Sequence, residues 1–332
     1  MFLKRIFGQK LEKSGSMEKM AACPICPAQG AKNCLCQVSL VHPGAHDLLQ
    51  CPACGVRYFE PMPAPAQLEQ FYSPAYFNFD RSREEGKGLA FARRLQRWKR
   101  SGKLLDVGCA TGYFIHGIRA HSDWEVYGVE FGESAARFAA EQLQLEVKHG
   151  SLESAAYPDA FFDYVHVNNV LEHVIHPFAL LRECRRILRP EGVLFLSVPN
   201  GDNDSLDLIE FYRQEGKPAR SKNGHIFFFA GRTLLGLFEQ IGFIVEKKKT
   251  YSLKRGLRSA GYWPRKRDWK KDYFPRGAAG NSTNPEIAQQ DAKRKHPDLY
   301  YRLRFMQGNL QMLPGLHQWG LDFLFILRPR LQ

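Results

Sequence analysis

The stretch that most restricts how this chain can fold is Lys103 to Phe114, K-L-L-D-V-G-C-A-T-G-Y-F. An apolar run (Leu104, Leu105, Val107) carries one acid, Asp106, and breaks into a loop of small residues, Gly108-Cys109-Ala110-Thr111-Gly112. A helical segment, Tyr113 to Ala120, follows. Strand, glycine-bearing turn and helix N-terminus in that order aim backbone N–H groups at a bound anionic group. A little further on, V-Y-G-V-E closes a second apolar run on Glu130, which lies 22 residues past Gly108. That spacing is close to the ~20 expected of a carboxylate that grips a ribose.

A pyrophosphate loop needs G-x-G-x-x-G, and here the glycines fall only at 108 and 112. The D-x-G-x-x-x-G form resembles instead motif I of the class I S-adenosylmethionine-dependent methyltransferases. The resemblance implies that the loop (Asp106, Gly108, Cys109, Gly112) wraps the methionine part of S-adenosyl-L-methionine and that Glu130 binds both ribose hydroxyls. Ala110 departs from the fuller pattern, which has a third glycine there. The third loop, H-G-S-L-E, offers Ser151 and Leu152 at the position that meets adenine in that family. The segment F-F-D-Y-V-H-V-N-N-V-L-E-H-V resembles the family's fourth strand; it places Asn168 beside the cofactor and Glu172-His173 just beyond. L-R-P-E-G-V-L-F-L-S-V-P-N resembles the turn into strand five, and G-H-I-F-F-F, with His225, the region before strand six.

Strand and helix patterns alternate along the core, which calls for a parallel, doubly wound sheet. Strands are expected near 103–107, 125–129, 145–148, 162–167, 192–198, 242–249 and 321–327, and helices over 113–120, 133–142, 177–188 and 231–241. The predicted class is α/β: a Rossmann-like doubly wound seven-stranded sheet, preceded by a small N-terminal zinc ribbon, with a last strand that the family resemblance implies is antiparallel. Helices before the core, at Leu68–Tyr72 and Gly86–Arg100, include one whose basic face is either solvated or part of a lid.

The ribbon is predicted from C-P-I-C (Cys23, Cys26) and C-P-A-C-G (Cys51, Cys54), two knuckles that can surround one tetrahedral, structural Zn²⁺. V-S-L-V and D-L-L-Q between them suit a small hairpin. Cys34 and Cys36 are set aside as bystander thiols. A redox reading of C-x-x-C would need a βαβ context that is absent. Ribbon, Pro-rich link and aromatic helix together resemble the leader of methyltransferases that modify sugars and other small metabolites.

Methyl transfer needs nucleophile, methyl and sulfur held in line, and a hydroxyl nucleophile also needs its proton removed. His173 and His225 are the candidate bases, with His176 third. Cys109 as a nucleophile is disfavoured.

The chain carries a net charge of +13, and from Lys247 to Arg276 there are 12 Lys or Arg against Asp268 and Asp272 alone. Aromatics are interleaved there (Tyr251, Tyr262, Trp263, Trp269, Tyr273, Phe274). Such a patch suits phosphate contacts plus stacking, or an anionic membrane surface. The expected partition is 1–20 lead-in, 21–60 ribbon, 61–100 linker and lid helices, 101–250 with 321–330 core, and 251–320 basic/aromatic insertion. The run Phe323–Leu327 is too short to cross a bilayer and the first ten residues lack signal-peptide form, so a cytoplasmic protein with reduced thiols is expected. The leading functional expectation is methyl transfer to a small or medium metabolite, such as a nucleotide- or lipid-linked sugar. An RNA methyltransferase, and a non-catalytic cofactor-binding partner protein, stay open. Peripheral membrane contact and oligomeric state are likewise left open.

Overall fold

The computed structural model describes residues 18–20, 22–40, 45–72, 77, 79–221, 223–251 and 322–330. A small sheet comes first: β1 (Glu18–Met20), β2 (Ala31–Ser39), β3 (Ala45–Gln50) and β4 (Arg57–Glu60). Then follow α1 (Pro65–Phe71) and α2 (Arg81–Trp98). The large sheet begins with β5 (Ser101–Val107), α3 (Tyr113–Arg119), β6 (Asp123–Glu130), α4 (Glu133–Leu143) and β7 (Glu146–His149). Next come β8 (Phe162–Asn168), α5 (Pro177–Ile187) and β9 (Leu188–Pro199). The remaining elements are α6 (Gly201–Asp204), α7 (Leu206–Glu215), β10 (Ala219–Arg220), β11 (Phe227–Phe228), α8 (Gly231–Ile241), β12 (Phe243–Tyr251) and β13 (Asp322–Pro329).

Seven strands form one sheet in the order β12-β13-β9-β8-β5-β6-β7. The five from β9 to β7 pair in parallel, and β13 runs antiparallel to both β9 and β12. The α/β class, the seven strands and the reversed last strand are those the sequence predicts. Strands covered by helices on both faces are mostly apolar, which explains their near-continuous runs: Leu104, Leu105, Val165, Val167, Leu194, Leu196 and Val198 are fully buried. Phe325, also fully buried, anchors β13 against Phe238 of α8 at a ring separation of 5.0 Å. Truncating such a phenylalanine to alanine costs about 3–5 kcal/mol. From β5 the chain winds outward through β6 and β7, then returns to β8 on the other side of β5. A crevice opens at that reversal, outside the carboxyl ends of β5 and β8.

The helices lie where their apolar periodicity puts them. In α5, Pro177 occupies the first turn, where its missing N–H costs nothing, and Leu180, Leu181, Cys184 and Ile187 form the buried stripe. In α8 the stripe is Leu234, Leu237, Phe238 and Ile241, stopped by Gly242 in the left-handed conformation (φ 87°). Helix α2 crosses α3 so closely that a Cβ on Gly88 would stand 2.2 Å from the Phe114 carbonyl oxygen.

The small sheet is not made by the N-terminal residues alone. β2 and β3 form the expected antiparallel hairpin, but β11 pairs with β4 and β10 pairs with β2. Arg57 on β4 donates to Ser205 Oγ at 2.6 Å, and one buried apolar cluster runs from Cys23 through β2–β4 into β8, β9 and α8. Among the described residues no helix is long and apolar enough to cross a membrane.

Candidate active site

The loop after β5 folds as a tight nest against β6. Gly108 and Cys109 both donate their N–H to the Val129 carbonyl (2.8 and 3.1 Å), and Gly112 caps α3 at φ 76°. A Cβ on Gly108, itself at φ 71°, would lie 2.6 Å from Val170 Cγ2, so a side chain is excluded there by space as well as by backbone. Ala110 also sits at positive φ (50°), a conformation costing an L-residue roughly 1–2 kcal/mol. Its N–H compensates by donating to Glu130 Oε2 at 2.8 Å, while Gly132 N–H donates to Glu130 Oε1 at 2.8 Å. Burial pushes the Glu130 carboxyl above its usual range, and these two N–H bonds oppose the shift. Lone pairs remain on both oxygens for a further pair of donors.

Asp106 and His166 form a pair the sequence does not announce. They are opposite each other in the β5/β8 register, both buried, with His166 Nδ1 2.7 Å from Asp106 Oδ1. The imidazole is sandwiched between Phe114 (4.7 Å) and Phe195 (4.6 Å). The only sequence signal was a histidine interrupting an apolar strand. Its partner depends on register.

A cavity of about 910 Å³ opens over these residues. Asp106, Gly108, Cys109, Glu130, Ser151, Leu152, Asn168 and His173 all border it, as does His176 at the start of α5. Gly112 lies beneath the loop and His225 behind His173, so neither borders it. Helix α2 contributes Glu84, Lys87, Phe91 and Arg94 to the wall. Ser151 accepts the Ser154 N–H at its Oγ (3.2 Å), and the Leu152 side chain is buried under the same turn. Burial pushes the Cys109 thiol well up, leaving no thiolate for nucleophilic attack.

The wall opposite the loop is polar. His173 Nδ1 lies 2.7 Å from the Tyr72 hydroxyl and 3.2 Å from the Gly224 carbonyl oxygen. Its ring meets that of His225 edge-on at 4.7 Å. His225 Nδ1 is 2.7 Å from Asp204 Oδ2, on α6. Glu172, 1% exposed, stands between the two imidazoles, and neither of its oxygens has a hydrogen-bond partner among the described residues. Burial lifts its carboxyl to about 7, against the pull of His225. Burial drives His173 well below the usual imidazole value, with His225 adding to the effect. Burial also lowers His225, but the Asp204 charge and hydrogen bond, with Glu172, outweigh it and hold His225 above its usual value.

Away from the cavity, Cys23, Cys26, Cys51 and Cys54 converge, their sulfurs all within 4.8 Å of one another. Cys23–Cys54 and Cys26–Cys51 are each 3.8 Å apart, which matches the ~3.8 Å edge of a tetrahedron with Zn–S bonds of ~2.3 Å. Cys34 and Cys36 lie along β2 and do not join the cluster. Thr233 Oγ1 donates to the Cys54 carbonyl at 2.8 Å, tying this corner to α8. Most of the basic insertion, 252–320, lies outside the described residues.

Comparison with known proteins gives a consistent picture. The pattern of a family described as "Methyltransferase domain" matches residues 79–248, just over half of the chain. A probable S-adenosylmethionine-dependent methyltransferase of Mycolicibacterium smegmatis is 35% identical over 98 residues, covering 29% of this chain and 38% of that protein. A ubiquinone biosynthesis O-methyltransferase of Acinetobacter baylyi is 32% identical over 105 residues, covering 30% and 44%. The chain thus spans about two fifths of the length of these curated relatives. Among solved structures, a putative sarcosine dimethylglycine methyltransferase from Galdieria sulphuraria aligns over 80% of this chain and 98% of its own, with a TM-score of 0.48 and 13% identity. A putative methyltransferase from Bacillus halodurans aligns over 73% and 99%, with a TM-score of 0.44 and 17% identity.

Proposed function

The chain belongs to the methyltransferase-domain family, and from that premise we propose that it is an S-adenosylmethionine-dependent methyltransferase acting on a small or medium metabolite. The observation that carries the reading is Glu130. Its carboxylate is pinned by the Ala110 and Gly132 N–H groups at the rim of the cavity, at the end of the strand next to the glycine loop. A carboxylate held there with lone pairs to spare is what two ribose hydroxyls need. In this reading Gly108 and its neighbours close on the methionine portion, Asn168 borders it, and Ser151 with Leu152 meets the adenine. Asp106 is oriented for its part by His166.

When bound, S-adenosylmethionine supplies a methyl group already activated by its sulfonium. The protein's task is then alignment, which can contribute about 7–11 kcal/mol. Phe91, Phe114 and Phe131 give the crevice apolar lining. His173, bordering the cavity and oriented by Tyr72, is proposed to receive the acceptor's proton; burial keeps its ring neutral before the reaction, at the cost of making it a weaker base. His225, held by Asp204, packs edge-on behind it and fixes its position. A cavity of about 910 Å³ is at the upper end of the ~300–1,000 Å³ typical of small-molecule sites, which suits cofactor plus a modest acceptor. The name of the Acinetobacter relative, a ubiquinone biosynthesis O-methyltransferase, also favours a small molecule. The four cysteines are proposed to hold one structural zinc ion, a role favoured by a complete thiolate set with no open position.

The test is twofold. Calorimetry should detect S-adenosylmethionine binding, and absence of binding overturns the reading. Labelled methyl groups should then enter small-molecule fractions of the source cell; label confined to RNA would overturn the acceptor class.

A further inference from the structure

The polar wall of the cavity contains three groups whose lone pairs face one another. Two oxygens meet His173 Nδ1, the Tyr72 hydroxyl at 2.7 Å and Gly224 O at 3.2 Å; Gly224 O can only accept and the hydroxyl can, so an Nδ1–H serves both. The Asp204 carboxylate likewise takes the Nδ1–H of His225 at 2.7 Å. Both imidazoles therefore turn Nε2 inward, toward the same oxygen: Glu172 Oε1 is 3.7 Å from His173 Nε2 and 3.8 Å from His225 Nε2. Those separations are too long for hydrogen bonds. They also leave a 1%-exposed carboxylate with both oxygens lacking a hydrogen bond among the described residues, a charge that a cation seated between the three offsets more closely than the His225 ring 3.8 Å away.

We infer that Glu172, His173 and His225 form a binding site for one divalent transition-metal ion. One donor atom from each lies within 4.8 Å of the other two. Two ligands on an ion with ~2.1 Å bonds are roughly 3.0–3.4 Å apart in octahedral or tetrahedral geometry, so the two His–Glu pairs, at 3.7 and 3.8 Å, need to close by well under 1 Å. Two imidazoles and one carboxylate are a donor set for zinc, iron or manganese, not for magnesium alone. The surroundings match those of metal-binding histidines, whose other ring nitrogen donates to a carboxylate or a carbonyl. Asp204 serves His225 in this way and Gly224 serves His173. The frame is also built without the ion, because the Glu172 carbonyl accepts the N–H groups of Ile226 (2.9 Å) and Phe227 (3.1 Å). That pins the two ligand-bearing segments together. Of the three, His173 alone reaches the cavity wall, and an ion on its Nε2 takes the lone pair proposed above for the acceptor's proton, so with the ion bound His173 is a ligand and not the base.

The experiment is a manganese(II) titration of the chain carrying a single equivalent of zinc, which the four thiolates take first, with free Mn²⁺ counted by electron paramagnetic resonance. Thiolate sites prefer softer ions, so the cysteine cluster does not compete for this probe. About one Mn²⁺ per chain is expected. Glu172→Gln and His225→Ala should each weaken it at least ~10-fold, and Asp204→Asn, which touches no ion, by about 10–100-fold. S-adenosylmethionine affinity, measured on the same samples, reports whether each variant is folded. No bound Mn²⁺ in the wild type at millimolar concentration overturns the site. So does equal binding in a folded Glu172→Gln or Asp204→Asn protein. Manganese bound without S-adenosylmethionine binding would sink the methyl-transfer reading and leave the site standing; the converse would sink only the site.

Discussion

Replacing Glu130 by alanine removes four hydrogen bonds at once in the proposed complex. Two are present in the protein by itself, from Ala110 and Gly132 N–H at 2.8 Å each. The other two are those proposed to the ribose. Hydrogen bonds to a charged group are worth about 1.5–3 kcal/mol, and water entering the vacated space recovers part of each. The expected loss of S-adenosylmethionine affinity is thus ~2–3 kcal/mol, or about 30–150-fold in Kd. The two orphaned N–H groups add a separate cost to folding of ~1–3 kcal/mol, which lowers Tm by several degrees in a chain of this size. Glu130→Gln divides these effects. Its amide oxygen can keep one backbone donor, while its NH₂ faces the other donor, so a smaller Tm loss should accompany most of the affinity loss. Calorimetry and thermal unfolding of both variants supply the two numbers. A fall in Tm with unchanged Kd would refute the ribose role, because the folding defect alone would then account for Glu130.

Cys51→Ser should release about one zinc per chain by elemental analysis. Because β4 pairs with β11 and Thr233 bonds the Cys54 carbonyl, faster hydrogen exchange should also reach residues 225–228; zinc-free wild type would refute the ribbon. His173→Ala and His225→Ala should retain cofactor affinity while at least one lowers turnover ~10²-fold or more, and full activity in both would show that alignment alone suffices. Asp163 accepts from Lys99 Nζ (2.6 Å), Arg189 Nη1 (2.9 Å) and Lys103 N–H (2.9 Å), which outweigh its burial and hold its carboxyl below the usual range. Asp163→Asn should cost about 1–3 kcal/mol in denaturant unfolding, discounted because both cations are nearly half exposed. With its folded pKa depressed, this carboxyl contributes stability fully above its unfolded value of 3.8 and loses it as pH falls through the lower folded value. An acid-unfolding profile identical in Asp163→Asn would count against that. Replacing Arg265, Lys266 and Arg267 by alanine is expected to raise the acceptor's KM and leave cofactor affinity alone; unchanged acceptor kinetics would make that cluster a surface feature.

What the amino-acid sequence determined by itself is local or periodic. The strand–glycine–helix unit at 103–114 follows from an apolar run and two residues needing positive φ, and Glu130 from chain spacing. The alternation of runs and stripes sets the sheet and its helices, while paired C-x-x-C spacing marks the cysteine knuckles. Glycine and hydrophobic period act within a few residues, so they survive without knowledge of the rest of the chain. The side chains that meet across the fold needed the tertiary structure. His166 faces Asp106 because of a strand register between segments 60 residues apart. Asp204 finds His225, and Glu172 comes to stand between two histidines, because α6 and the turn before β11 fold over the end of β8. The short strands β10 and β11 exist because they complete a sheet begun near the N-terminus. Two residues are too few to carry a period, and their hydrogen bonds form only once a distant edge is in place to receive them.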